Sequence, residues 1–171
     1  ALAGLAFGIY QFGSYRQPSR WVWLLHRPLA PRTIFVSLAM AAAAVIVFAI
    51  GLPALLTVAG SDLSGRTVDV RHYLMVAHLV ALTLCAWLAG AYVALQRSRT
   101  AIVVLLLPVL MLLHFASAWI MLAPTLACLA LLGAIAAGAF KPDRMAPPSS
   151  PAAQALAAIP LLLGFYFVMV W

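Results

Sequence analysis

The stretch TIFVSLAMAAAAVIVFAIGLPALLTV, residues 33–58, is apolar along almost its whole length and carries no charged side chain. A helix needs about 20 predominantly apolar residues to cross the hydrocarbon core of a bilayer. Lipid offers the backbone no hydrogen-bond partner, so a spanning segment must pair its own N–H and C=O groups, as a helix does. The stretch therefore predicts a membrane-spanning α-helix.

Runs of the same kind recur along the chain, which is 67% hydrophobic and only 8% charged. A soluble domain carries about 25% charged residues, so lipid is the expected solvent. None of the runs alternates with the period of a barrel strand. The sequence predicts an all-α polytopic bundle, a single transmembrane domain of about six hydrophobic segments, at residues 1–15, 33–58, 73–95, 101–122, 124–140 and 152–171.

The fifth segment and the two ends of the chain have special features. A turn is predicted at Ala123 and Pro124, between the fourth and fifth segments. Segment 124–140 is short for a full crossing, so these two segments form either a hairpin or a unit with a re-entrant part. Because apolar runs lie at both ends of the sequence, we expect the chain to be a fragment of a longer polypeptide.

Basic residues are concentrated in alternate loops. Loops 16–32, 96–100 and 141–151 carry an excess of arginine and lysine, whereas loop 59–72 is evenly mixed. By the positive-inside rule the three basic loops are cytoplasmic and loop 59–72 is external. This bias explains the formal net charge of +7. We therefore do not expect nucleic acid as a partner. We expect a multi-pass protein in the lipid bilayer of a bacterial-type inner membrane.

A short amphipathic helix is predicted at residues 19–27, in the first cytoplasmic loop. Ser19 is a suitable N-cap, and Pro28 ends the helix. Two interpretations stay open: the helix anchors at the lipid headgroups, or its polar face docks a cytoplasmic partner, since Trp and Arg are frequent binding anchors. At 100° per residue the apolar face carries Trp21, Val22, Leu24 and Leu25, and the polar face carries Arg20, Trp23, His26 and Arg27.

Residues 21–38 resemble the coupling-helix segment of ABC-2 type exporter permeases, and the matching positions are Leu24, Leu25, Arg27, Pro28, Leu29, Arg32 and Ile34. The resemblance implies a transport subunit that is not itself an enzyme, holds no cofactor and works in a homo- or heterodimer of membrane domains. A separate ATPase subunit would bind ATP and drive it. The sequence contains no Gly-rich phosphate loop ending in Gly-Lys-Ser/Thr, so the ATPase must be another chain or domain.

The number of segments differs from the pattern of that family. Its members usually have four spans after the coupling helix, whereas five apolar segments follow it here. Either the fourth and fifth segments form one broken unit, or the chain is a divergent or larger relative.

Two histidines inside the segments favour a different function. His78 and His114 are predicted at depths that differ by about 5 Å in adjacent antiparallel helices, a placement that suits axial ligation of one b-type haem. Alternatively, each is a neutral side chain bonded to a nearby backbone group or hydroxyl, such as Thr83 or Ser117. A haem-bearing electron-transfer protein is therefore the second functional hypothesis, and a structural or assembly subunit is the third.

Other small motifs concern packing more than chemistry. No motif has the spacing of metal ligands, and Cys85 and Cys128 lie inside apolar segments, where buried free thiols are expected. Proline inside a segment permits a kink, as at Pro53, Pro108 and Pro160. Small residues four apart allow membrane helices to approach closely, and they occur at Gly4/Gly8, Ala86/Gly90 and Ala134/Gly138.

Overall fold

The computed structural model of the chain describes residues 1–15, 29–96, 101, 104–113 and 118–140. These residues are almost entirely helical, and no strand occurs among them, so the predicted all-α class is confirmed. The helices are α1 (Leu2–Tyr15), α2 (Pro31–Ile46), α3 (Leu52–Leu63), α4 (Val70–Leu95), α5 (Leu106–Leu113) and α6 (Ala118–Ala139), with a π-helical segment at Val47–Gly51.

Three helical stretches in this described part are long and apolar enough to cross a membrane: Pro31–Leu63, Val70–Leu95 and Leu122–Ala139. They contain the second and third predicted segments and all of the fifth except its last residue, Phe140. Helix α1 covers the first segment with 14 residues, fewer than the roughly 20 of a full crossing. The sixth segment at 152–171 and the predicted amphipathic helix at 19–27 lie outside the described residues, so the count of six segments stays a prediction.

Helices α2 and α3 join through the π-helical segment into one stretch of 33 residues, Pro31–Leu63. Pro53 explains the irregularity in the middle of this stretch, because its ring nitrogen carries no hydrogen to donate to the preceding turn. The last N–H before it, that of Leu52, donates to the carbonyl of Val47, five residues back. The widened turn therefore lies directly before the proline, where the α-helical pattern of hydrogen bonds is interrupted.

The predicted loop 59–72 is shorter than expected. Helix α3 continues to Leu63 and α4 begins at Val70, so only residues 64–69 connect the two helices. Asp69 caps α4: its side chain accepts a hydrogen bond from the backbone of His72, and His72 in turn accepts one from the backbone N–H of Asp69. Both helices therefore continue past their apolar parts: α3 includes the polar residues Ser61 and Asp62, and α4 includes Arg71 and His72.

The turn predicted at Ala123 and Pro124 is wrong. Helix α6 runs without interruption from Ala118 to Ala139, with Pro124 inside it. A proline removes one backbone hydrogen bond, a loss that membrane helices tolerate because neighbouring groups and local adjustments satisfy the freed carbonyl. The helix is 22 residues long, enough for a full crossing. Segment 124–140 was considered as re-entrant because it is short, and this reason no longer applies.

Helix α4 lies between α1 and α6 and is parallel to both. Along α1, Gly4 lies against Thr83, and Gly8 lies against Trp87 and Ala91. Contacts between α4 and α6 follow the same order, from His78 near Thr125 to Leu88 near Gly133. Because α4 and α6 are parallel, the start of α6 lies at the opposite end of the bundle from the end of α4. The predicted alternation of segments requires this arrangement.

Glycines make the α1–α4 contact close. A Cβ atom added at Gly90 would lie 2.6 Å from the carbonyl oxygen of Leu5, and one added at Gly4 or Gly8 would clash with the carbonyl oxygens of Thr83 and Trp87. Small residues let membrane helices approach backbone to backbone in this way. The predicted close approach is confirmed at Gly4, Gly8 and Gly90. Gly138 differs, because a Cβ atom added there would meet no described atom within 4 Å.

Candidate functional site

Four aromatic side chains from four parts of the fold meet at one end of the bundle. Phe12 of α1 lies 6.0 Å from Phe35 of α2, 5.8 Å from Trp87 of α4 and 6.1 Å from Phe140, between ring centroids. The rings of Phe35 and Phe140 are 5.7 Å apart. Such separations, with tilted or edge-on rings, are favourable for aromatic pairs. We call these four residues, all buried, the aromatic junction.

A polar contact accompanies the junction. The indole N–H of Trp87 donates a hydrogen bond of 3.0 Å to the side-chain oxygen of Gln11. A buried indole needs such a partner because an unpaired donor in an apolar interior costs free energy. Gln11 thus joins α1 to α4 beside the glycine contact. Sequence reasoning missed it, although Gln11 is the only amide side chain in the first predicted segment, which was a usable signal.

The aromatic junction lies where the segment with the predicted docking residues joins the bundle. Arg20, Trp23, His26 and Arg27 lie outside the described residues. Their flanks are described: Tyr15 ends α1 three residues after Phe12, and Pro31 starts α2 four residues before Phe35. Pro31 is at the first helical position, where its fixed φ favours helix initiation. Of the positions that carry the family resemblance, Leu29 and Arg32 are exposed and Ile34 is buried.

A second group of functional side chains lies between α4 and α6. His78 is fully buried, and its Nδ1 lies 3.3 Å from the hydroxyl oxygen of Thr125. The thiol of Cys85 donates to the backbone carbonyl of Thr125 at 3.5 Å, and the buried Cys128 lies on the same helix as Thr125. We call these four residues the polar cluster.

The partner of His78 differs from the two residues proposed from the sequence. Thr83 donates instead to the carbonyl of Leu79 in its own helix, at 2.8 Å, and Ser117 lies outside the described residues. The hydroxyl comes from Thr125, which sequence reasoning did not single out. Cys128 follows Thr125 by three positions, so both occupy one face of α6. On α4, His78 and Cys85 are seven residues apart and likewise share a face.

His114, the other predicted haem ligand, lies outside the described residues, so no distance between the two histidines is available from the fold. Among the residues with described positions, no three His, Cys, Asp or Glu side chains come together as a metal site would require. His72 lies at the surface, beside the ion pair of 3.5 Å between Arg71 and Asp69. Among the described residues, the polar cluster is therefore the buried group whose side chains could bind a ligand or react.

Comparison with known proteins adds no relative: no family model, curated protein or solved structure matches the chain. Its function is therefore inferred from its own residues and geometry.

Proposed function

We propose that the chain is the membrane-spanning permease part of an ABC-type exporter, which moves a substrate across a bacterial inner membrane when a separate ATPase subunit drives it. Two features support this function. Residues 21–38 resemble the coupling-helix segment of that family, and the aromatic junction lies at the point where this segment joins the bundle.

The aromatic junction carries the proposal because it is suited to transmit a displacement. Protein interiors are packed nearly as densely as organic crystals, so they transmit strain better than they absorb it. Phe35, just inside α2, contacts rings of α1 and the end of α6, and Phe12 contacts Trp87 of α4. A partner that pushes on residues 16–30 therefore acts on four helices at one point.

The helix that follows the coupling segment contains a built-in irregularity. Its π-helical turn, Val47–Gly51, precedes Pro53 and begins roughly 24 Å from Pro31 at about 1.5 Å per residue. Gly51 approaches α4 there, since a Cβ atom added to it would lie 3.0 Å from a methyl group of Val80. Transporters often have discontinuous helices near the bilayer midplane, which absorb movement or line a pathway.

The outer face of the α2–α3 stretch is suited to lipid or to a second membrane domain. Exporters of this kind work as pairs, so a homo- or heterodimer belongs to the proposal. The predicted orientation puts the aromatic junction at the cytoplasmic side, with loops 16–32, 96–100 and 141–151. Large apolar side chains exposed on this face are Val36, Met40, Val45, Phe48, Leu52 and Leu56.

The test compares two tryptophans of the predicted amphipathic helix. If the polar face docks an ATPase, Trp23→Ala weakens co-purification of that ATPase by roughly 30-fold, about 2 kcal/mol, while the membrane yield is unchanged. Trp21→Ala is the matched control, and it lowers membrane yield because the apolar face contacts lipid or the neighbouring helices. A silent Trp23→Ala beside a damaging Trp21→Ala indicates a simple interfacial anchor and contradicts the proposal.

Haem binding is the second candidate because His78 is a buried ionisable side chain within a membrane helix, where such groups are often functional. The hydrogen bond between its Nδ1 and Thr125 orients the ring, as bonds behind metal-binding histidines do. Protein purified from haem-replete cells should then show a Soret band that His78→Ala or His114→Ala abolishes. A structural or assembly subunit would show neither the band nor an associated ATPase.

A further inference from the structure

Among the described residues, helix α6 is covered on one side only. Its buried side chains follow one line along the helix: Thr125, Cys128, Leu132 and Ala136. At 100° per residue the opposite line carries four exposed alanines: Ala123, Ala127, Ala130 and Ala134. Two leucines flank this line, one on each side, and both are about half exposed: Leu126 and Leu131. We call these four alanines and two leucines the alanine face.

The alanine face is better suited to contact with a helix than with lipid. Membrane helices pack closely where small residues let their backbones approach each other. The outer face of the α2–α3 stretch, by contrast, presents a large apolar side chain at intervals of about one turn, among them Met40 and Phe48. The alanine face has no large side chain along its centre, and its leucines form the walls of a shallow groove. This groove has room for the side chains of a further helix.

We propose that the groove holds the segment 152–171 of the same chain, packed antiparallel to α6. This segment is the sixth apolar run, and its length is that of a full crossing. It follows α6 after a short connection, residues 141–151. Segments that follow one another in sequence are neighbours in space in roughly two-thirds of cases, and two consecutive spans cross the bilayer in opposite directions. Because α4 occupies the other side of α6, the alanine face is the side left for this segment.

The composition of the segment is complementary to the alanine face. Its second half is rich in large residues, with leucine at 161–163 and phenylalanine or tyrosine at 165–167. In antiparallel packing this half lies along the first part of the face, from Ala123 to Ala130, where large side chains fill the space that alanines leave. Gly138, in the last turn of α6, lies beyond the face.

The consequence is a second pair of helices in the bundle. Segment 152–171 and α6 form one pair, α1 and α4 form the other, and the polar cluster lies between the two pairs. A displacement at the polar cluster then moves two helices together. This inference does not depend on the exporter proposal, because it uses only the surface of α6 and the order of the chain.

The test is a cysteine cross-linking scan of the whole chain in membranes, with a protease site inserted in the connection 141–151. Ala130→Cys is combined with one cysteine at a time at positions 158–167, and the thiols are oxidised with copper phenanthroline. A disulfide needs Cα atoms within about 7 Å of each other, so the cleaved fragments stay joined on a non-reducing gel only where the helices touch. We expect joined fragments at positions spaced three or four apart. Ala127→Cys, nearly one turn closer to the start of α6, should shift the pattern three or four positions towards residue 171.

Two controls are matched to the scan. Chains that carry a cysteine at 158–167 and only the native Cys85 and Cys128 should separate after cleavage, because both native cysteines are buried between α4 and α6. In the second control Val45→Cys replaces Ala130→Cys. Val45 is 53% exposed on the outer face of α2 and lies at a similar depth, counted from the contacts of Gly51 and Gly133 with α4. Val45→Cys should join no fragments.

Three results would overturn the inference. The first is a scan in which the fragments separate at every position, which means that lipid covers the alanine face. The second is a product of twice the chain's mass joined through Ala130→Cys, which means that a second copy occupies the groove. The third is an equal yield of joined fragments from Val45→Cys, which indicates random collision. Ala130→Cys adds a single sulfur atom at an exposed position, so the variant keeps the fold that the scan requires.

Discussion

Helix α4 packs against α1 and against α6 in two different ways. Towards α1 the two backbones come close together, because Gly4, Gly8 and Gly90 lack the side chains that would keep the helices apart. Towards α6 side chains of α4 fill the interface: His78 lies 3.3 Å from the hydroxyl of Thr125, and the thiol of Cys85 donates to the backbone carbonyl of Thr125 at 3.5 Å. On its α1 side, α4 therefore has an interface without room for adjustment. On its α6 side, the side chains of α4 can exchange hydrogen-bond partners.

This difference indicates where the bundle can move. A backbone contact leaves no rotamer to change, so any shift separates the helices outright. A layer of hydrogen-bonded side chains can change rotamers, and such bonds in membrane proteins contribute only about 0.6 kcal/mol on average. We therefore expect α1 and α4 to move as one body and α6 to shift against them.

The largest effect is expected from a single methyl group added at Gly8, which tests the backbone contact between α1 and α4. Gly8→Ala puts a Cβ atom against the carbonyl of Trp87 and within 2.9 Å of the backbone nitrogen of Ala91. Backbone atoms cannot turn aside as side chains do, so we expect a loss near the upper end for overpacking, about 3 kcal/mol. Unfolding in mixed micelles of mild detergent and sodium dodecyl sulfate, followed by tryptophan fluorescence, measures it.

Gly138→Ala is the matched control, because its new methyl group meets no described atom within 4 Å. Alanine favours a helix over glycine by about 1 kcal/mol, so this variant should be neutral or slightly more stable. If both variants lose the same stability, the cost belongs to glycine replacement in general, and the α1–α4 interface is not special.

The sequence predicted the helices better than their boundaries. Long apolar runs decide that a segment is a membrane helix, because lipid leaves the backbone no alternative. Pro124 misled the boundary, since a proline is a strong signal for a turn in water and a weaker one in a membrane helix. The spacing of Gly4 and Gly8 predicted a close helix contact, but it could not predict which helix would be the partner. The structure shows that the partner is α4.

The candidate site was harder to predict for a physical reason. His78 and the two cysteines were visible as unusual residues in apolar segments, but a hydrogen bond between helices depends on their relative rotation and register. Thr125 became important only because α6 presents it to α4 at the level of His78. Aromatic residues are also too common in membrane segments for sequence alone to group Phe12, Phe35, Trp87 and Phe140.

A smaller effect is expected at the polar contact beside the glycine interface. Gln11→Leu removes the acceptor of the 3.0 Å bond from Trp87 and leaves the indole N–H buried in an apolar setting. An unsatisfied buried donor costs about 1–3 kcal/mol, and we expect about 1.5 kcal/mol in the same unfolding assay. Gln11→Glu, which keeps an acceptor oxygen, serves as the comparison. A fully stable Gln11→Leu would show that the bond adds nothing to the α1–α4 contact.

The smallest effect should come from the polar cluster. Thr125→Val keeps the shape of the side chain and the carbonyl that accepts from Cys85, and it removes only the hydroxyl 3.3 Å from His78. Because such bonds between membrane helices are weak, we expect a loss of about 0.6 kcal/mol, below that of Gln11→Leu. Thr57→Val is the control, since that exposed hydroxyl donates to the carbonyl of Ala54 in its own helix and its removal should change little. A loss at Thr125 as large as that of Gly8→Ala would mean that α6 is held as firmly as α1, and the proposed movement of α6 against the α1–α4 pair would then have to be abandoned.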